Sequence, residues 1–116
     1  MIQVTPQMKI YLHYEKIDFR NGVDGLASIC KYKMNLDPMS GALFVFTNQA
    51  RSGIKILVYD GSGYWACHKR LSQGKLKWWP EGKEVYLDLA AKELQILIWN
   101  GNPSLIGLPD DWKKIT

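Results

Sequence analysis

Nowhere in this 116-residue chain is there an apolar run near the ~18 residues that a membrane span needs. The opening MIQVTPQMKIYLHYEK is broken by polar and charged residues, so it lacks the continuous apolar core of a secretory signal. Cysteine is scarce as well. Cys30 and Cys67 stand far apart with no C-x-x-C, and with His13 and His68 at scattered spacings they make no zinc ligand set. These absences predict a cytoplasmic protein with reduced thiols, no membrane attachment, no metal and no cofactor.

The catalytic inventory is equally thin. Neither histidine neighbours a Ser or Cys in a nucleophile motif. Asp18 and Asp24 flank a helix start, where capping accounts for them, and Asp110-Asp111 fall near the C-terminus. No grouping of inward carboxylates suggests a two-metal nuclease, so no enzymatic activity is expected. Asp60-Gly61-Ser62-Gly63 lacks the following helix and the Lys-Ser/Thr of a P-loop, and reads as a hairpin turn.

What is present describes one globular domain over residues 1–116, with 47% hydrophobic and 22% charged residues and five Trp. The net charge of +4 is unevenly placed. Segment 51–83 carries seven Lys/Arg against two Asp/Glu, a balance of +5, while the segments before and after it carry +1 and −2. A basic excess confined to one segment points to a partner rather than to a fold.

MKIYLHY (8–14) has strand character. Residues 21–34 follow at helical spacing, with Val23, Leu26, Ala27, Cys30 and Met34 on one face and Asn21 as the expected N-cap. Gly22 and Gly25 weaken this helix by roughly 1 kcal/mol each, which suggests a close backbone approach. Strands are expected over 42–47, 54–60, 64–71 and 76–80, joined by short loops in an antiparallel meander. A second helix is expected over 88–100 with Gly101 as its C-cap, followed by an irregular tail anchored by Leu105, Ile106 and Trp112. The class is α+β: a small single domain in which a curled antiparallel meander of about five strands has one helix after its first strand and another at its C-terminal end.

In YWACHKRL (64–71) alternation puts Tyr64, Ala66, His68 and Arg70 on one face and Trp65, Cys67, Lys69 and Leu71 on the other. The second, more apolar set is expected to face the core. An adjoining 76–80 strand would then bring Lys75, Lys77 and Trp79 beside His68 and Arg70. Cations interleaved with aromatic rings suit a nucleic-acid surface, yet lysines on a strand edge also prevent edge-to-edge aggregation, and an acidic protein partner fits the same charges.

Three ordered stretches are familiar: DFRNGVDGLASI (18–29), DPMSGALFVF (37–46) and IKILVYDGSGYWACHKRLSQGKLKWWP (54–80). With the closing LQILIWNG, they make the chain resemble the TnpB-type accessory proteins encoded by the second open reading frame of insertion sequences of the sixty-six family. The loop before Ile54, often Arg-rich in that family, here reads NQARSG with Arg51 alone, and Ile17 stands where Thr is more usual. The resemblance implies a small protein of a mobile element that works beside a separate, larger DDE-type transposase and a sister accessory protein, with the catalytic residues in the transposase.

The resulting expectation is a non-enzymatic accessory factor for DNA transposition. Arg20, Arg51, Lys55, His68, Lys69, Arg70, Lys75 and Lys77 are its candidate DNA contacts, with weight on Lys69, Arg70, Lys75 and Lys77, and Tyr64, His68 and Trp79 are candidates for stacking. Two other readings stand beside it: an adaptor that docks the transposase through exposed Trp and Tyr without touching DNA, and a nuclease dependent on Asp24 or Asp60.

Overall fold

The computed structural model describes residues 7–105. Five strands form one sheet: β1 (Ile10–His13), β2 (Leu43–Thr47), β3 (Gly53–Tyr59), β4 (Tyr64–Arg70) and β5 (Tyr86–Leu89), in the spatial order β4-β3-β2-β1-β5. Helix α1 (Val23–Ser28) continues as a π-helical turn over Ile29–Lys33, and α2 (Ala91–Ile98) precedes a short 3₁₀ turn at Pro103–Leu105.

The α+β class is as the sequence predicts. The sheet, however, is mixed rather than wholly antiparallel. β1 and β2 are parallel, because the chain crosses over through α1 between them; only β2, β3 and β4 form an antiparallel meander. β5 then pairs antiparallel with β1 on the far edge. Helices cover both faces of this sheet. Ile10, Leu12, Leu43, Val45, Ile54 and Val58 pack with Leu94 and Leu97 of α2 on one side. Phe44, Phe46 and Leu57 pack with Leu26, Cys30 and Met34 on the other. Burial on both sides explains why Leu43–Thr47 is nearly continuously apolar and buried at every position.

The expected 76–80 strand does not form. Leu76 and Trp79 are instead buried against the α2-side core, and the Trp79 indole N–H donates to the carbonyls of His13 and Tyr14, both at 3.2 Å. The chain thus crosses the sheet from β4 to the opposite edge, and the fifth strand is Tyr86–Leu89. The expected helix start at Asp88 fails for the same reason, since Asp88 and Leu89 pair with Tyr11 and Ile10. The helix begins at Ala91, where Glu93 accepts the Ala90 N–H at 2.7 Å.

Both expected caps are displaced, Asn21 by one residue to Gly22 and Gly101 by two to Trp99. Gly22, not Asn21, is the N-cap of α1; the Asn21 side chain donates to the Asp18 carbonyl at 2.9 Å. A Cβ on Gly25 would lie 2.6 Å from Asn21 Oδ1, so Gly25 makes room for a side chain of the preceding turn and not for another backbone, and Gly22 has open space. At the end of α2 Asn100 takes the left-handed conformation (φ 61°). The N–H groups of Asn100 and Gly101 then bond to the carbonyls of Leu97 and Ile96, a Schellman closure. Of the expected anchors, Ile106 and Trp112 lie outside the described residues, as does the Asp110-Asp111 pair, and for Leu105 only the backbone, in the Pro103–Leu105 turn, is described.

Candidate nucleic-acid interface

β4 is an edge strand, and that corrects the reading of its faces. None of its seven residues is buried, and Trp65, Cys67 and Lys69 are exposed rather than turned into the core. Alternation still holds. The register sets Gly53 opposite Arg70, Lys55 opposite His68 and Tyr59 opposite Tyr64 on the α1 side, and Ile54 opposite Lys69, Ile56 opposite Cys67 and Val58 opposite Trp65 on the α2 side.

Where β3 begins and β4 ends, Phe19 organises the α1 side. The Lys55 ammonium lies 5.2 Å from the Phe19 ring centroid and donates to the carbonyls of Phe19 at 2.6 Å and Asn21 at 3.3 Å. His68 meets the same ring edge-on at 5.1 Å. Partial burial lowers the His68 pKa, and the charges of Lys55 and Arg70 lower it further, so at neutral pH this imidazole is a polar aromatic surface and not a cation. Next along the chain, Arg20 is paired with Asp18, Nη2 to Oδ2 at 2.6 Å. Hydrogen bonds from the Arg20 side chain, above all, hold the Asp18 carboxyl down at about 2.

On the α2 side of the same end, Lys69 Nζ donates to the Ile98 carbonyl at 2.5 Å, a cation at a helix C-terminus. Asn100 ties down the incoming loop: its Oδ1 accepts the Lys77 N–H at 2.8 Å and its amide donates to the Lys75 carbonyl at 3.4 Å. Arg51, in the left-handed region at φ 54°, accepts the Leu76 N–H at 2.8 Å, while Leu71 donates to Ser52 at 2.9 Å. All eight candidate contacts therefore gather at one end of the sheet, although Lys75 and Lys77 arrive there on a loop and not on a strand.

Within that set the side chains are not equivalent. The ammonium groups of Lys55 and Lys69 are engaged by backbone carbonyls and Arg20 by a carboxylate. The side chains of Arg51, Arg70, Lys75 and Lys77 have no ion-pair or hydrogen-bond partner among the described residues. Of the expected stacking rings, Trp79 is buried, and Tyr64 is half-buried against Tyr59 with ring centroids 5.1 Å apart. His68 and Phe19 supply the aromatic surface at this end. Sequence reasoning passed over Phe19 and Asn100. Phe19 lies in a short irregular stretch with no periodicity to mark it. An Asn before Gly at the end of an apolar helix is a C-cap signal, but the Gly drew the assignment.

At the opposite end of β4, the Asp60 carboxylate accepts the N–H groups of Ser62 and Gly63, the Ser62 hydroxyl and the Trp65 indole N–H, at 2.8–3.0 Å. These bonds, the Ser62 N–H first, hold its carboxyl down at about 2. They also occupy the N–H groups of Ser62 and Gly63, so the loop is a turn closed on its own carboxylate. Among the described residues no group of three or more His, Cys, Asp or Glu could hold a metal ion, and no helix is long and apolar enough to cross a membrane. One further cleft, of about 800 Å³, opens at the end of β1 among His13, Tyr14, Lys16, Lys33, Glu81 and Lys83. Its lining comes from separate segments, so no local pattern announces it.

The class defined by these features is a small α+β domain with a five-stranded mixed sheet, helices on both faces and one basic end. The chain belongs to the IS66 Orf2-like protein family, an insertion-sequence accessory family whose model matches residues 8–103. It is 29% identical over 98 residues to the uncharacterized protein y4jC of Sinorhizobium fredii, which covers 84% of this chain and 83% of that one. It is 26% identical over 98 residues to the uncharacterized protein y4hO of the same organism, with 84% of each covered. No solved structure matches the chain.

Proposed function

We propose that this protein is a non-enzymatic accessory factor for transposition of an insertion sequence, binding DNA through the basic end of the β3–β4 hairpin and acting with a separate DDE-type transposase. The observation that carries the reading is that Arg51, Arg70, Lys75 and Lys77, whose side chains have no partners among the described residues, lie at one end of the sheet, where the α1 side also carries the Phe19–His68 aromatic pair. Uncompensated cations there can neutralise phosphates and release counterions, and the rings can pack on sugar or base.

A salt series of fluorescence-anisotropy titrations against the element's terminal repeat, a scrambled duplex and a single strand tests it. The expected result is binding whose log K falls with log salt by roughly 0.9 per phosphate contacted. Combined Arg70→Glu, Lys75→Glu and Lys77→Glu should abolish it; Lys69 is left intact because it closes α2. Affinity unchanged by these reversals would overturn the reading. The exposed Trp65 (48%) and Trp99 (71%) favour a second reading, a protein adaptor that docks the transposase without contacting DNA. That reading predicts co-purification with the transposase and no salt-dependent DNA affinity.

A further inference from the structure

The unpaired edge of the sheet is the feature that the DNA reading does not absorb. Asp60 N–H bonds to the Gly63 carbonyl and Leu71 N–H to the Ser52 carbonyl. Antiparallel ladders alternate, so with the observed register these two bonds fix which β4 residues turn their peptide groups toward β3: Trp65, Cys67 and Lys69. Tyr64, Ala66, His68 and Arg70 therefore present N–H and C=O groups to the outside, where no strand lies among the described residues.

Proteins usually blunt such an edge by keeping it short, by a bulge, by proline or by charges along it. The opposite edge, β5, is short at four residues. β4 runs seven residues in unbroken register with no proline, and its two cations sit together at one end, leaving Trp65, Ala66 and Cys67 exposed in its apolar part.

We propose that two copies of this chain pair antiparallel along β4 about a two-fold axis at Cys67, joining their sheets into one. Three independent features select this register. It is the one that matches all seven residues of each strand. It places Ala66 opposite the partner's His68 and Tyr64 opposite the partner's Arg70, pairs in which all four residues have outward peptide groups, giving about eight new hydrogen bonds. It also sets each Trp65 opposite the partner's Lys69, and each Tyr64 opposite the partner's Arg70, so every cation of the strand stands across from an aromatic residue and none across from another cation. The cations of the two copies fall at opposite ends of the ribbon, roughly 14–20 Å apart along it, beyond the Debye length at physiological salt. The two-fold is perpendicular to the sheet, so Trp65 of each copy shares a face with the partner's α2 terminus, where Trp99 is exposed. The dimer does not depend on DNA binding.

Sedimentation velocity on the full chain without DNA, over a range of concentrations, tests it together with diamide crosslinking. The two Cys67 thiols would form a close non-hydrogen-bonded pair, within reach of a disulfide as diamide takes up their two electrons and two protons. The expected result is a dimer that crosslinks through Cys67, with crosslinking lost in Cys67→Ser; Cys30 is buried and stays reduced. Ala66→Pro removes only an outward N–H and leaves the ladder to β3 intact, so it should give a folded monomer. Cys67→Asp, which sets two carboxylates at the axis, should weaken dimerisation by at least about a hundredfold. Circular dichroism confirms that each variant is folded. A wild-type monomer at all concentrations overturns the proposal, as does a dimer that survives Ala66→Pro and Cys67→Asp without crosslinking at Cys67.

Discussion

β2 and β4 are strands of the same antiparallel meander, yet every residue of the first is buried and none of the second is. β2 lies between two neighbours and under helices on both faces; β4 has one neighbour and little cover. Identity in β2 is set by packing, and identity in β4 is free to be set by what the strand meets. The comparison predicts a wide gap in sensitivity. Phe44→Ala removes a fully buried ring that stacks on Tyr11 at 5.7 Å, and should cost about 3–5 kcal/mol in urea denaturation. Ala66→Ser on β4 should stay within about 0.5 kcal/mol of wild type when measured at monomer concentrations. Similar costs at the two sites would break the distinction.

An intermediate case is the single glycine that opens β3. A Cβ on Gly53 would sit 2.6 Å from the Lys69 carbonyl oxygen and 3.2 Å from His68 Nε2, so the β4 backbone itself would have to move. Gly53→Ala should therefore cost about 1–3 kcal/mol, although it adds only a methyl group beside an exposed strand. Because the displaced atoms belong to the basic end, DNA affinity should fall with it. Loss of stability with DNA affinity intact would separate the hairpin packing from the proposed interface.

Much of this layout was legible in the sequence. Strand and helix existence followed from periodicity, because Val23, Leu26 and Cys30 or the alternation of 64–71 report burial locally. The class followed from the order of those elements, and the concentration of charge in 51–83 located the basic end. What was not legible was non-local. Nothing in LKWWP distinguishes a strand from a loop that plugs Leu76 and Trp79 into a core; that depends on carbonyls of His13 and Tyr14, more than sixty residues away. The same missed crossing hid β5 and made β4 an edge, which reversed the expected burial of Trp65 and Cys67. Among the candidate contacts, residue type alone could not separate Lys55 and Lys69, whose ammonium groups serve the fold, from Arg70, Lys75 and Lys77.

The smallest effect concerns the tip of the hairpin, where a surface charge organises what burial organises in β2. Four donors converge on the Asp60 carboxylate and depress its pKa from 3.8 to about 2. A carboxyl that ionises more readily in the folded state stabilises that state above its ordinary value, and the contribution is lost as pH falls from about 4 toward about 2. The group is fully exposed, so water screens it and the change should stay local. The resonance of the Trp65 indole N–H, which donates to Asp60 Oδ2 at 2.8 Å, should therefore titrate with a midpoint near 2 while resonances of β2 stay in place. Asp18 titrates over the same range but lies in a separate ion pair with Arg20, so it does not report through Trp65. In Asp60→Asn that titration should vanish. A midpoint near 4 in the wild type would mean that the turn is not closed on its carboxylate, and that its N–H groups are open to an anion after all.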